Sequence, residues 1–270
     1  MWQKITSVSN RHIREIVRLM NKPSERIERG WVMVEGLREI RMALNFPMQA
    51  IELMVCRDIC SEDELKWIEP HFVSAMKTEV NAEVFSRLAY RENKDGIIAI
   101  FKAEVPRLFS LNLPSNPLII VLESVEKPGN MGAILRTADA AGCDALIVCD
   151  PRTDIFNPNV IRASLGTVFS VPIAVAEAKE AMQWLEKHHV KSFAAALVDE
   201  ARSYTELDYT QGTAIVLGSE AEGLSSFWLR YCQQKIIIPM RGKVDSLNVS
   251  VAAGVIIFEA VRQRSQSNNA

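Results

Sequence analysis

At 270 residues the chain is longer than one typical small domain, so two domains are expected. A hydrophobic fraction of 48 % excludes a disordered protein, and no apolar run approaches the ~18 residues that span a bilayer. The formal net charge of −2 names no partner, because a nucleic-acid binder needs only a local basic surface.

The opening segment MWQKITSVSNRHIREIVRLMNK intersperses polar residues among its apolar ones, which argues against a secretory signal. A helix is expected from Asn10 to Met20, with Asn10 as N-cap and Ile13, Ile16, Val17 and Met20 at core spacing. Arg11, Arg14 and Arg18 then share one face, either as a solvated surface or as an RNA contact. From Lys4 to Arg41 there are nine basic residues against five acidic ones. Strands are expected at Trp31–Val34 and Ile51–Val55, with a helix at Leu37–Leu44 between them. Ser61 followed by Glu64 fits a capping box opening a helix to Trp67. Strands at Phe72–Met76 and Ile97–Phe101, around a helix at Val80–Leu88, complete an α/β unit over residues 1–105.

Prolines at 106, 114 and 117 amid polar residues mark a linker at 106–116. From Leu118 to Arg264 strand and helix alternate regularly. Strands LIIVLES, ALIVC, VPIAV, KSFAAAL, TAIVLG and KIIIP are joined by helices at Met131–Ala141, Pro158–Leu165, Ala178–His188, Leu224–Cys232 and Val249–Arg264, except between KSFAAAL and TAIVLG. Such alternation implies a mostly parallel sheet covered by helices. The polar tail SQSNNA, residues 265–270, is expected to be disordered. Five scattered cysteines, with no accompanying His cluster, read as buried free thiols in a reducing cytoplasm, and no metal is expected.

Ligands of parallel sheets bind beyond the carboxyl ends of the strands. Three such ends carry Gly- or Pro-containing loops. Lys127-Pro-Gly-Asn-Met-Gly132 leads into a helix bearing Arg136; it is either an anion-binding helix start or an ordinary turn. Gly218-Ser-Glu-Ala-Glu-Gly223 lacks the GK[ST] of a P-loop, and neither loop contains GxGxxG, so a nucleotide phosphate site is disfavoured. Its acidic, lysine-free composition suits a neutral or cationic ligand, or none. In the third loop, Ile238 to Asn248, Ser246 reads as an N-cap and Asn248 as a polar residue of the first turn.

Taken together, PGNMGAILRTADAAG (128–142), IRASLGTVFSVPI (161–173), IVLGSEAEGLS (215–225) and IIIPMRGKVDSLNVSVAAGVIIFEAVRQR (236–264) resemble the SpoU branch of the SPOUT RNA methyltransferases. The resemblance covers 117–264 and implies an α/β/α parallel-sheet domain with a deep trefoil knot. The N-terminal unit, through WVMVEGLREIRMAL and especially Glu35-Gly36, is similar to the L30e-like domains that hold RNA in some members. The implied activity is methyl transfer from S-adenosylmethionine to a ribose 2′-hydroxyl, with 23S ribosomal RNA as the expected substrate. Transfer RNA is the alternative substrate, and a non-catalytic RNA-binding protein of the same fold the alternative function. A dinucleotide-dependent oxidoreductase is disfavoured by the missing GxGxxG.

By the same resemblance, Arg136, Asn130, Glu220, Ser246 and Asn248 are the catalytic set, with Arg136 acting on the hydroxyl. Leu217, Gly218, Ile238, Met240 and Leu247 are the donor-binding set, and Arg11, Arg14 and Arg18 the RNA contacts. Ser219 stands where many members have Asn. The resemblance further implies a homodimer packed through the knotted region, in the cytoplasm and away from membranes.

Overall fold

The structure, a computed structural model, describes residues 2–90 and 95–267. It divides into two compact units: residues 1–104 with 154–170, and residues 105–153 with 171–270.

The first unit runs β1 (Trp2–Ile5), α1 (Arg11–Asn21), α2 (Pro23–Arg29), β2 (Trp31–Glu35), α3 (Leu37–Ala43), β3 (Gln49–Val55), α4 (Glu62–Ile68), β4 (Met76–Val80), α5 (Ala82–Leu88) and β5 (Ile97–Lys102). Its sheet has the order β1-β4-β3-β5-β2; β4 is parallel to β1 and β3, and β5 is antiparallel to β3 and β2. Helix α1 buries Ile13, Ile16 and Leu19 and leaves Arg11, Arg14 and Arg18 exposed, the two-faced pattern its spacing dictates. Asn10 caps it through His12 N, and the Ser61–Glu64 capping box forms at α4. Buried Glu52 is satisfied by His12 (2.8 Å) and Thr78 (2.5 Å). The carboxylate bond holds the imidazole pKa above its usual value, against the opposing effect of burial.

Two expectations fail here. Phe72–Met76 is not a strand: Phe72 closes a 3-10 turn over Glu69–Phe72, Val73 is 78 % exposed, and β4 starts at Met76. The next helix begins at Ala82, not Val80, because Asn81 accepts from Val84 N at 3.0 Å and so caps it.

The second unit contains β6 (Leu118–Glu123), α6 (Pro128–Ala141) and β7 (Ala145–Cys149). The helix that follows, α7 (Pro158–Ala163), lies within residues 154–170 and so belongs to the first unit. The second unit continues through β8 (Ile173–Ala176), α8 (Ala178–Lys187), β9 (Lys191–Ala195), β10 (Arg202–Ser203), β11 (Thr213–Leu217), α9 (Ser226–Tyr231), β12 (Gln234–Ile237) and α10 (Val249–Ser267). All seven strands are parallel, in the order β10-β12-β9-β11-β6-β7-β8. The central strands β6, β7 and β11 are wholly buried, as continuous apolar runs in a two-sided sheet must be. Strand β11 sits between β6 and β9, so the chain diverges in opposite directions from neighbouring strands at that point. Such a divergence opens a crevice at the strands' carboxyl ends.

Helix α10 is longer than expected: Ser265, Gln266 and Ser267 are helical, and residues 268–270 of the expected tail lie outside the described residues. Near its end, Arg264 donates to the carbonyls of Asn116, Pro117, Tyr209 and Gln211, fastening the starts of β6 and β11 together. All five cysteines are free and buried. Among the described residues no cluster could hold a metal, and no helix is long and apolar enough to cross a membrane.

A contiguous boundary at 106–116 did not anticipate that residues 154–170, between β7 and β8, would join the first unit. They are held there by Asp154, which accepts from Arg26 Nε at 2.6 Å, while Arg26 Nη1 donates to the carbonyls of Leu19 and Met20. Phe46, Phe156 and Phe169 pack with ring centroids 5.8–6.2 Å apart. Gly166, at φ +85°, adopts a left-handed backbone that a side chain would strain, and passes so close to Met42 that a Cβ would stand 3.0 Å from its Cγ. Because Arg26 is 3 % exposed, Asp154→Ala strands a buried charge and is expected to cost about 3–5 kcal/mol of first-unit stability. Urea unfolding followed through first-unit tryptophans checks this, and an unchanged midpoint would refute it.

A candidate active site at the carboxyl ends of the parallel sheet

The loops after β6, β11 and β12 meet beside the divergence of β6 and β11. Pro128 occupies the first turn of α6, where its missing N–H costs nothing. The helix therefore starts at Pro128, not Met131 as expected, and Asn130 lies in its first turn. Asn130 Nδ2 donates to Glu220 Oε1 in the β11–α9 loop, and Asn130 Oδ1 accepts from Asn248 Nδ2 at 3.2 Å. Asn248 Oδ1 in turn accepts from Ser250 N (2.9 Å) and Ser250 Oγ (2.6 Å). Asn248 is thus the cap of α10, in place of Ser246, whose hydroxyl donates to Asp245 at 3.2 Å.

The direction of this chain is fixed by its backbone end. A backbone N–H can only donate, so the atom of Asn248 facing Ser250 N is its oxygen, and its NH2 faces Asn130. Asn130 must then receive with its oxygen and present its own NH2 to Glu220. Neither amide can be flipped without losing a bond. Glu220 is left as a carboxylate that accepts, with capacity to spare.

The β11–α9 loop is compact for a steric reason. A Cβ on Gly218 would stand 2.1 Å from Gly223 O and 2.5 Å from Leu224 N, backbone atoms that cannot yield. Ser219 and Gly223 form a β-bridge, and Ser219 Oγ accepts from Glu222 N at 3.1 Å. The loop is fixed from outside by buried Glu123, at the end of β6, which accepts from Ser225 N at 2.7 Å. Arg152 bridges Glu126 and Glu222.

A cavity of about 680 Å³ opens among these loops. All five expected donor residues line it: Leu217, Gly218, Ile238, Met240 and Leu247. Glu220, Ser246 and Asn248 line it too, and Asn130 joins through its hydrogen bonds to two of them. Arg136 does not: it lies six residues along α6 from Asn130, on a different face, exposed and without a bonding partner among the described residues. Sequence reasoning missed Lys127, Leu197, Glu222 and Asp245, which also line the cavity. Lys127 and Asp245 adjoin quoted motif residues, and Leu197 ends the run KSFAAAL, so position after a strand was the available signal.

Residues 117–258 match the model of the SpoU rRNA methylase family. The chain belongs to the SpoU rRNA methylase family. Residues 10–99 match an MRM3-like substrate binding domain. The SpoU chain is 37 % identical over 244 residues to the 23S rRNA (guanosine-2′-O-)-methyltransferase RlmB of Haemophilus ducreyi, covering 86 % of this chain and 97 % of that one. It is 29 % identical to the 23S rRNA (uridine(2479)-2′-O)-methyltransferase of Streptomyces viridochromogenes, covering 99 % and 95 %. The AdoMet-bound rRNA methyltransferase of Sinorhizobium meliloti superposes with a TM-score of 0.88 at 29 % identity, covering 97 % and 98 %.

Gly218→Ala forces the loop backbone apart and is expected to destabilise the second unit by about 1–3 kcal/mol. Scanning calorimetry of the full chain checks this; a melting profile identical to wild type would show that the loop tolerates a Cβ.

Proposed function

We propose that this SpoU chain transfers a methyl group from S-adenosylmethionine to a ribose 2′-hydroxyl of 23S ribosomal RNA. The observation that carries the reading is the hydrogen-bonded chain Asn248–Asn130–Glu220 at the mouth of a cavity lined by Leu217, Gly218, Ile238, Met240 and Leu247. Full-length similarity to two enzymes named for 23S rRNA 2′-O-methylation supports the substrate over transfer RNA. The residues fit the donor. The cavity volume falls in the ~300–1,000 Å³ range of cofactor sites. Its wall carries three carboxylates, Glu220, Glu222 and Asp245, against one lysine, Lys127, a balance that favours a cationic ligand.

Bound there, the donor supplies a sulfonium methyl that passes to the ribose oxygen. The protein's task is to place the hydroxyl and help it lose its proton. Asn130, Asn248 and Ser246 present amide and hydroxyl groups to orient the ribose, and Glu220 accepts beside them from Asn130. Arg136 is the group assigned to stabilise the developing alkoxide. Its exposure away from the cavity supports a homodimer in which a second copy completes the site. The stripe of Val251 (51 % exposed) and Phe258 (49 %) on α10 supports the same assembly. Membership of the SpoU family supports the trefoil knot. A ribosomal RNA substrate supports a cytoplasmic location. The exposed face of Arg11, Arg14 and Arg18 on α1 is the proposed phosphate contact of the first unit.

The test is transfer of labelled methyl from S-adenosylmethionine to unmodified 23S rRNA and to transfer RNA, followed by digestion to nucleosides. A labelled 2′-O-methyl nucleoside from 23S rRNA is expected, and label in transfer RNA alone would overturn the substrate assignment. Arg136→Ala is expected to reduce transfer at least a hundredfold, the scale of one lost oxyanion donor. Calorimetric donor binding should persist in that variant; loss of both would assign Arg136 to the donor site instead.

A further inference from the structure

A second groove of about 590 Å³ lies on the other flank of the second unit, and the reaction does not use it. One wall is the segment after Glu104 and the other is α8. The segment is well fixed. Val175 N, in edge strand β8, donates to Pro106 O at 2.9 Å, and Ser110 N and Oγ both return to Arg107 O. Leu108 and Leu111 pack on the core of the unit. Between them Phe109 is 89 % exposed, held outward by a turn whose other apolar residues are anchored inward.

Across the groove, Trp184 is half-buried with His188 tilted over it at 4.3 Å between centroids. His188 Nδ1 lies 2.7 Å from Trp184 O, and a carbonyl only accepts, so Nδ1 carries the proton and Nε2 faces outward. Two cations, Arg107 and Lys187, line the same groove, both exposed and without an ion pair among the described residues. The one acid there, Glu180, is occupied: its carboxylate accepts from Glu177 N at 3.2 Å in the capping box of α8.

We infer that this groove binds an unpaired nucleotide of the RNA substrate, stacked between Phe109 and the Trp184–His188 pair, with its flanking phosphates on Arg107 and Lys187. The inference rests on the RNA-methylating reading and adds a docking point to it. Aromatic faces interleaved with cations are how single strands are held without sequence readout. The unpaired charges select an anionic occupant over an apolar protein surface. Strand β8 lies three positions from β11, roughly 14 Å at ~4.8 Å per strand, within reach of a short single strand running from the catalytic cavity.

The experiment measures binding of a short fluorescent single-stranded RNA to the full chain by anisotropy across a salt series. Phe109→Ala is expected to weaken binding about tenfold, in the ~1–3 kcal/mol range of one stacked base, and Phe109→Trp to restore it. Arg107→Gln with Lys187→Gln should flatten the salt slope by about 1.4, from ~0.7 per lost phosphate contact. A 4-thiouridine probe should crosslink within 107–111 or 183–188. Unchanged affinity in Phe109→Ala, or crosslinks confined to other segments, would overturn the inference. So would a dimer that Phe109→Ala turns into a monomer, since the groove then belongs to a second copy. The readout needs no turnover: a wild type that binds through Phe109 yet transfers no methyl supports the groove and overturns the catalytic reading alone.

Discussion

One backbone N–H at the start of α10 sets the chemistry of the catalytic cavity. Because Ser250 N can only donate, Asn248 must turn its oxygen toward the helix, and the constraint passes through Asn130 to Glu220. Three loops distant in sequence are thereby joined by groups that cannot be exchanged or reversed. Each side chain alone is a modest, partly exposed hydrogen-bonding group, but the set is polarised in one direction and ends on a carboxylate. The Gly218 loop adds a second restraint of a different kind, since its turn is closed by contact so tight that only hydrogen fits. Orientation at this site is thus set by the protein's own contacts, and preorganisation of that kind is where electrostatic catalysis draws its advantage.

The first unit depends on a piece of chain that sequence order assigns elsewhere. Asp154–Ser170 leaves the parallel sheet after β7, is fastened by Arg26, a phenylalanine cluster and Gly166, and returns as β8. The stretch IRASLGTVF, which resembles a family motif, therefore has a packing role in the first unit as well as a place in the methyltransferase sequence.

Much of this was legible in the sequence, and the reasons differ by element. The strands ALIVC and LIIVLES were readable because burial on both faces leaves an unbroken apolar run. The capping box at Ser61 and the cap at Asn10 are local chemistry, spelled within four residues. The three motif loops were found by position and then by resemblance, since every quoted donor residue lies at or after the end of a strand. Phe72–Met76 misled because a buried Phe beside a Val looks like a strand, although the alternation that matters begins at Met76. Helix α2, PSERIER, is too short and polar to show a face. The bond from Arg26 to Asp154 spans 128 residues, and no local pattern encodes it. That Arg136 lies outside the cavity lining of one chain was not legible, because sequence proximity to Asn130 hides the rotation of the helix between them.

The position of β11 has a consequence for how the protein comes into being. Its neighbours β6 and β9 precede it by about 95 and 22 residues respectively, counted between first residues, so the centre of the sheet stays open while its flanks are laid down. Contacts of such long sequence separation form slowly, because loop closure precedes the gain in packing. The cavity needs residues from Lys127 to Ile256 together, and α10 closes it last. A nascent chain still missing α10 lacks Val249, Ala252 and Ile256, and with them one wall of the cavity that would hold a methyl donor. Activity arrives in a single late step rather than accumulating as the polypeptide grows.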